Sequence, residues 1–196
     1  GECIAGMAEG NAGTYMRKNG DRQKRAGKWI IKIELIILLA FLIIWQAGIF
    51  GVSKGRLEQD ARDKQGVEKS WEMAQAVNED MCAMLFYDEE KENYAYSIYL
   101  TKEGLSYGYF YRQGGTDAYM EEGVKGVVFE DKGIALLSLN EDKVCKIVVD
   151  DSVKQETIQV DSEEPFAIVL PIECGAITMY DAQENVVTLY DTFTGA

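Results

Sequence analysis

The chain has 196 residues, a formal net charge of −13 and no histidine. Without histidine it can build neither a Ser-His-Asp or Cys-His catalytic set nor any histidine metal site. Its acidity, with no basic stretch interleaved with aromatics, argues against a nucleic acid partner.

Residues 1–15, "GECIAGMAEGNAGTY", are small, polar and non-periodic, and six Lys and Arg follow between Arg17 and Lys28. Residues 1–28 are read as a disordered, basic, cytoplasmic tail. The next 24 residues, 29–52, are almost wholly apolar; as a helix they reach about 36 Å, enough to cross a hydrocarbon core of about 30 Å. They are expected to be a transmembrane helix in contact with membrane lipid. Lys32 can snorkel to the headgroups, and Glu34 is read as an interfacial, solvated carboxylate. The basic flank predicts an N-terminus held in the cytoplasm and a C-terminal domain outside it.

A cleaved signal peptide fits less well. The apolar part exceeds the usual h-region, and Trp45 stands where a small residue is wanted before Ala47. Ala47 and Gly51 form a small-xxx-small pair able to seat a partner helix. Type IV pilins also join a basic leader, an apolar helix and a β-rich head, with a Gly before the run and a Glu fifth after it. Here the fifth residue after Gly27 is Lys32, and Glu34 comes seventh, which counts against a pilin.

Residues 53–66 read as a charged stalk. Val67, Trp71, Met73, Ala74 and Val77 fall near helical spacing and predict a short packed helix over 67–77. Residues 67–196 then form one β-rich extracytoplasmic domain. Residues 53–196 carry thirteen Lys and Arg against twenty-nine Asp and Glu, a net charge of −16. Beyond Asp80 ten short runs rich in Val, Ile, Tyr, Phe and Thr alternate with turn clusters such as "TKEG" and "DAQEN". The fold class expected is mainly β: one N-terminal transmembrane helix, a short juxtamembrane helix, then an antiparallel β-sandwich or partly closed barrel.

Tyr107, Tyr109 and Tyr111 share one side of a strand at a period of two and are the candidate ligand-binding residues, as an aromatic platform for glycan or peptide; a half-buried packing face is the plainer reading. Cys82, Cys145 and Cys174 follow the apolar run with no CxxC pair, so they are read as small buried hydrophobes, with a Cys145–Cys174 bridge as the alternative. Carboxylate chemistry would draw on Glu121 with Glu122, Asp150 with Asp151, or Glu163 with Glu164, but neighbours on a strand face opposite ways and each pair needs help from elsewhere. No calcium loop or phosphate loop is present, and no metal or cofactor is expected.

The ordering of a short helix, "LFYDEEKENYAYSIYL", "GLSYGYFYRQGG" and a closing "VCKIVVD" to "DAQENVV" segment resembles Gram-positive bacterial membrane-anchored or lipid-anchored proteins. That resemblance implies an extracytoplasmic β-domain and assigns no functional residue. The function expected is a single-pass membrane-anchored binding or sensing module contacting protein or cell-envelope ligands. It is not read as an enzyme. The alternatives are a carboxylate-dependent cell-wall glycan hydrolase and a structural subunit of an envelope assembly, with the oligomeric state open.

Overall fold

The computed structural model describes residues 12–46 and 48–194, with side chains from residue 29 onward. The chain divides into two compact units, residues 1–49 and residues 50–196. Among its described residues the first contains one helix, α1, at Ala12–Gln46. Its segment Trp29–Gln46 has a mean hydropathy of 2.1, and none of it is buried. At about 27 Å it is long and apolar enough to span a membrane. In such a setting a helix is the form in which a run of Ile and Leu satisfies its own backbone.

Two expected boundaries are corrected. The helix begins at Ala12, inside the stretch read as a disordered tail. It ends at Gln46 rather than at residue 52: Gly48 turns at φ 60°, and Phe50 and Val52 form bridges to Tyr107 and Tyr109 in the second unit. Gly51 is therefore no helix-packing residue, because a Cβ there would stand 2.6 Å from the Tyr109 carbonyl oxygen. Its expected companion Ala47 lies outside the described residues.

The second unit, the head, also moves the short helix. Helix α2 occupies Leu57–Gln65, the stretch read as a stalk. Its apolar face is only Leu57 and Ala61, one turn apart and both fully buried. Arg62 completes that face. It pairs with Glu58 at 2.8 Å, donates to the carbonyls of Glu68 and Trp71 at 2.8 and 3.1 Å, and lies 4.8 Å from the Phe86 ring centroid. Gly66 ends the helix in the left-handed conformation, φ 66°, and returns its N–H to the Arg62 carbonyl. The helix expected over 67–77 is instead strand β1, Glu72–Val77.

Three four-stranded sheets follow. The first runs in the order β1, β2 (Met81–Tyr87), β3 (Tyr94–Leu100) and β4 (Phe110–Gly115), all antiparallel. The second contains β5 (Val124–Phe129), β6 (Gly133–Ser138), β9 (Phe166–Leu170) and β12 (Leu189–Thr194), in the order β12-β5-β6-β9. The third orders β11 (Val186–Val187), β10 (Ala176–Asp181), β7 (Val144–Asp150) and β8 (Gln155–Gln159). All ten expected strand runs are found, the last one divided at Thr188 into β11 and β12. One pairing departs from the antiparallel expectation, since β12 lies parallel to β5. Among the described residues no sheet closes into a barrel.

The layers are stacked by three apolar clusters. On its inner face the first sheet presents Met81, Ala83, Leu85 and Ile98 to Val127, Phe129, Ala135 and Leu137 of the second. The second sheet's opposite face, with Val128, Ile134 and Leu136, meets Val144, Ile147 and Met179 of the third. The outer face of the first sheet, with Cys82, Met84, Phe86 and Tyr99, is covered by Leu57 and Ala61 of α2. Strands β2, β5 and β6 are thus buried on both faces. That is why "MCAMLFY" and "GIALLS" are unbroken apolar runs rather than alternating ones.

Candidate functional site

The three candidate tyrosines part company. Gly108 takes φ 88°, and a Cβ on it would stand 2.6 Å from the Val52 carbonyl oxygen. That turn breaks the strand, so β4 begins only at Phe110. Tyr107 is exposed and stacks on Phe50, with ring centroids 5.9 Å apart. Tyr109 packs into the cluster under α2 and donates its hydroxyl to the Asn78 carbonyl at 2.6 Å. Tyr111 meets Tyr99 edge to face at 5.5 Å, and its hydroxyl accepts from Gln65 Nε2 at 3.2 Å. The flat ladder read from the period of two is therefore absent.

Tyr111 does line a groove. The loop after β3, the start of β4 and the β5–β6 turn enclose about 420 Å³ between Leu100, Lys102, Phe110, Tyr111, Arg112 and the Asp131–Lys132 pair. Lys102 Nζ sits 4.0 Å over the Phe110 ring, a cation–π contact that leaves its outer hydrogens for a ligand. Lys132 is placed by the tight turn in which its N–H bonds the Phe129 carbonyl at 3.0 Å. Neither Lys102 nor Lys132 makes an ion pair among the described residues. Six other cations of the head each pair with a carboxylate. Two ammoniums beside the Asp131 carboxylate, with the Phe110 and Tyr111 rings in the same lining, suit a ligand that joins an anionic group to some apolar surface. The signal available in the sequence was the "FYR" run at the start of β4; Lys132 comes from the neighbouring sheet and carries none.

A second cleft of about 330 Å³ opens between the second and third sheets. Its floor is Val149, Ile158, Leu170 and Cys174, and its rim bears Asp151, Lys154, Glu156 and Glu173. Asp151 accepts the Val153 and Lys154 N–H groups at 2.8 and 2.6 Å, which holds its carboxyl below the ordinary value. Lys154 lies 3.7 Å from Glu156. Of the expected carboxylate pairs, only the Asp150–Asp151 pair contributes here, through Asp151. Asp150 accepts the Ser152 N–H at 2.8 Å, Glu163 pairs with Lys143 at 2.9 Å, and Glu121, Glu122 and Glu164 are exposed.

Lys125 is the one buried lysine among the described residues. It bonds Asp117, and its Nζ lies 5.9 Å from the ring centroids of both Tyr96 and Tyr119. Burial works against the Asp117 carboxylate, but the Lys125 hydrogen bond and charge and the Tyr119 N–H together lower its pKa. Cys82, Cys145 and Cys174 are free thiols, so the alternative Cys145–Cys174 bridge is not formed. Burial raises the Cys82 and Cys174 thiols. Cys3 lies outside the described residues. Comparison of the chain with family models, with curated proteins and with solved structures returned no match.

Proposed function

We propose that this chain is a single-pass membrane-anchored binding module whose extracytoplasmic head takes an anionic ligand of the cell envelope in the groove around Phe110 and Tyr111. The single observation that carries the reading is that Lys102 and Lys132, neither in an ion pair among the described residues, line one concavity in a head whose net charge is −16. The basic flank before Trp29 supports an N-terminus in the cytoplasm. The resemblance to Gram-positive membrane-anchored proteins agrees with a ligand in the envelope.

The test is titration of the full-length chain, held in lipid nanodiscs, with a soluble glycerol-phosphate polymer and with a neutral glycan of similar length. The polyanion binds saturably and the neutral glycan does not. Lys102→Gln and Lys132→Gln each weaken binding about fivefold, roughly 1 kcal/mol, and added salt weakens it further. Equal affinity in the wild type and both variants would sink the reading.

A second reading, a carboxylate-dependent hydrolase of wall glycan, is favoured by the three carboxylates on the rim of the 330 Å³ cleft. New reducing ends released from wall glycan by the chain, and lost in Glu173→Gln, would place it ahead of the binding module.

A further inference from the structure

The head carries an apolar patch outside the groove. Phe50, Leu105 and Tyr107 are 60%, 79% and 61% exposed, although Phe50 and Tyr107 stack on each other. Leu105 stands at the tip of a loop pinned by the Ser106 N–H to the Gly104 carbonyl at 2.9 Å and by Ser106 Oγ to the Lys102 carbonyl at 2.6 Å. The fold spends specific contacts to hold apolar side chains in the open.

The patch has one partner that chain length brings to it. Four peptide units separate Gln46, the end of the apolar helix, from Phe50, so their Cα atoms lie within about 15 Å whatever angle joins helix and head. Lys54 and Arg56 follow directly, both exposed and without an ion pair among the described residues; Glu103 is the acidic group of the loop. An aromatic pair, an exposed leucine and flanking cations match the headgroup region, where aromatic rings straddle the apolar boundary and basic side chains meet phosphate.

We propose that the face of the head bearing Phe50, Leu105 and Tyr107 docks on the lipid headgroups of the membrane spanned by the chain's own helix. This rests on the reading of Trp29–Gln46 as a spanning helix, and the test separates the two. The full-length chain is reconstituted in vesicles of three parts phosphatidylcholine to one part phosphatidylglycerol, with a fluorescent amino acid in place of Leu38, Tyr107 or Val153. Nitroxide-bearing lipids then quench each probe.

The Tyr107 probe is quenched by headgroup nitroxide about threefold more strongly than the probe at Val153, a hairpin-tip residue. The further change Leu105→Asp brings the two to the same level. Quenching at Tyr107 no stronger than at Val153, or unchanged by Leu105→Asp, overturns the docking while strong mid-chain quenching at Leu38 keeps the spanning helix. Absence of quenching at Leu38 overturns both.

Discussion

Ser97 occupies a fully buried position on the outer face of β3, and its hydroxyl has no hydrogen-bond partner. A buried polar group without a partner forfeits its hydration and gains nothing in exchange. Ser97→Ala is expected to stabilise the head by about 1 kcal/mol, read as a higher denaturant midpoint at unchanged m-value. A fall in the midpoint would mean that the hydroxyl is paired after all. Tyr99 shows the opposite design. Its hydroxyl donates to Asp60 at 2.6 Å, and Lys64 holds the same carboxylate at 2.9 Å. Burial raises the Tyr99 phenol and the bond to Asp60 raises it further, whereas the Asp60 carboxyl, despite some burial, is lowered by Tyr99 and Lys64. The Gly108 turn and the register shift between Ile98 and Tyr99 decide which tyrosine serves packing and which reaches solvent, so the spacing of Tyr107, Tyr109 and Tyr111 alone could not sort them.

Helix α2 is held by very little of itself. Leu57 and Ala61 supply its apolar contact, and the pairs Glu58–Arg62 and Asp60–Lys64, four residues apart, add a few tenths of a kcal/mol each. Leu57→Ala should therefore cost about 2–4 kcal/mol and loosen the cover over Cys82. Faster labelling of that thiol by a maleimide would report it; unchanged labelling would show that the cover does not depend on Leu57. This economy explains why the sequence gives so weak a helical signal there. A helix with two apolar positions among nine looks like a solvated stalk, while "EMAQAV" has helix-forming residues and becomes strand only because β2 offers it a six-residue antiparallel register. By contrast the strands from Met81 onward were legible, since β-branched and aromatic runs between turn clusters leave little choice. Their layering was legible in part: unbroken apolar runs mark burial on both faces, but nothing local says which sheet lies on which side. The groove was hidden for the same reason, as its cations come from the loop after β3 and from the β5–β6 turn, joined only by packing of two sheets.

For the molecule as a whole, acid and base act on different residues. The pKa values of Asp60, Asp88, Asp117, Asp151 and Asp181 are lowered from 3.8 in the folded head, so their contribution is complete above that value and is lost as pH falls through the folded values. Burial raises Tyr94, Tyr96, Tyr99 and Tyr109, and raises Tyr87 to about 12, from an ordinary 10.0. Their contribution is complete below 10.0 and is lost as pH rises through the folded values. Thermal unfolding followed from pH 2 to 12 should therefore give a midpoint that is flat from about 5 to about 9 and falls on both sides. Asp117→Asn should soften the acid limb, and an unaltered limb would remove that carboxylate from the explanation. A last consequence concerns the order of events in biosynthesis. The innermost sheet receives its parallel edge strand from residues 189–194, some sixty residues after β5 leaves the ribosome. A chain still emerging from the ribosome thus carries an unfinished, greasy centre until its latest-made segment arrives, and an escort that shields β5 and β6 during that wait would serve this protein better than one acting on its finished surface.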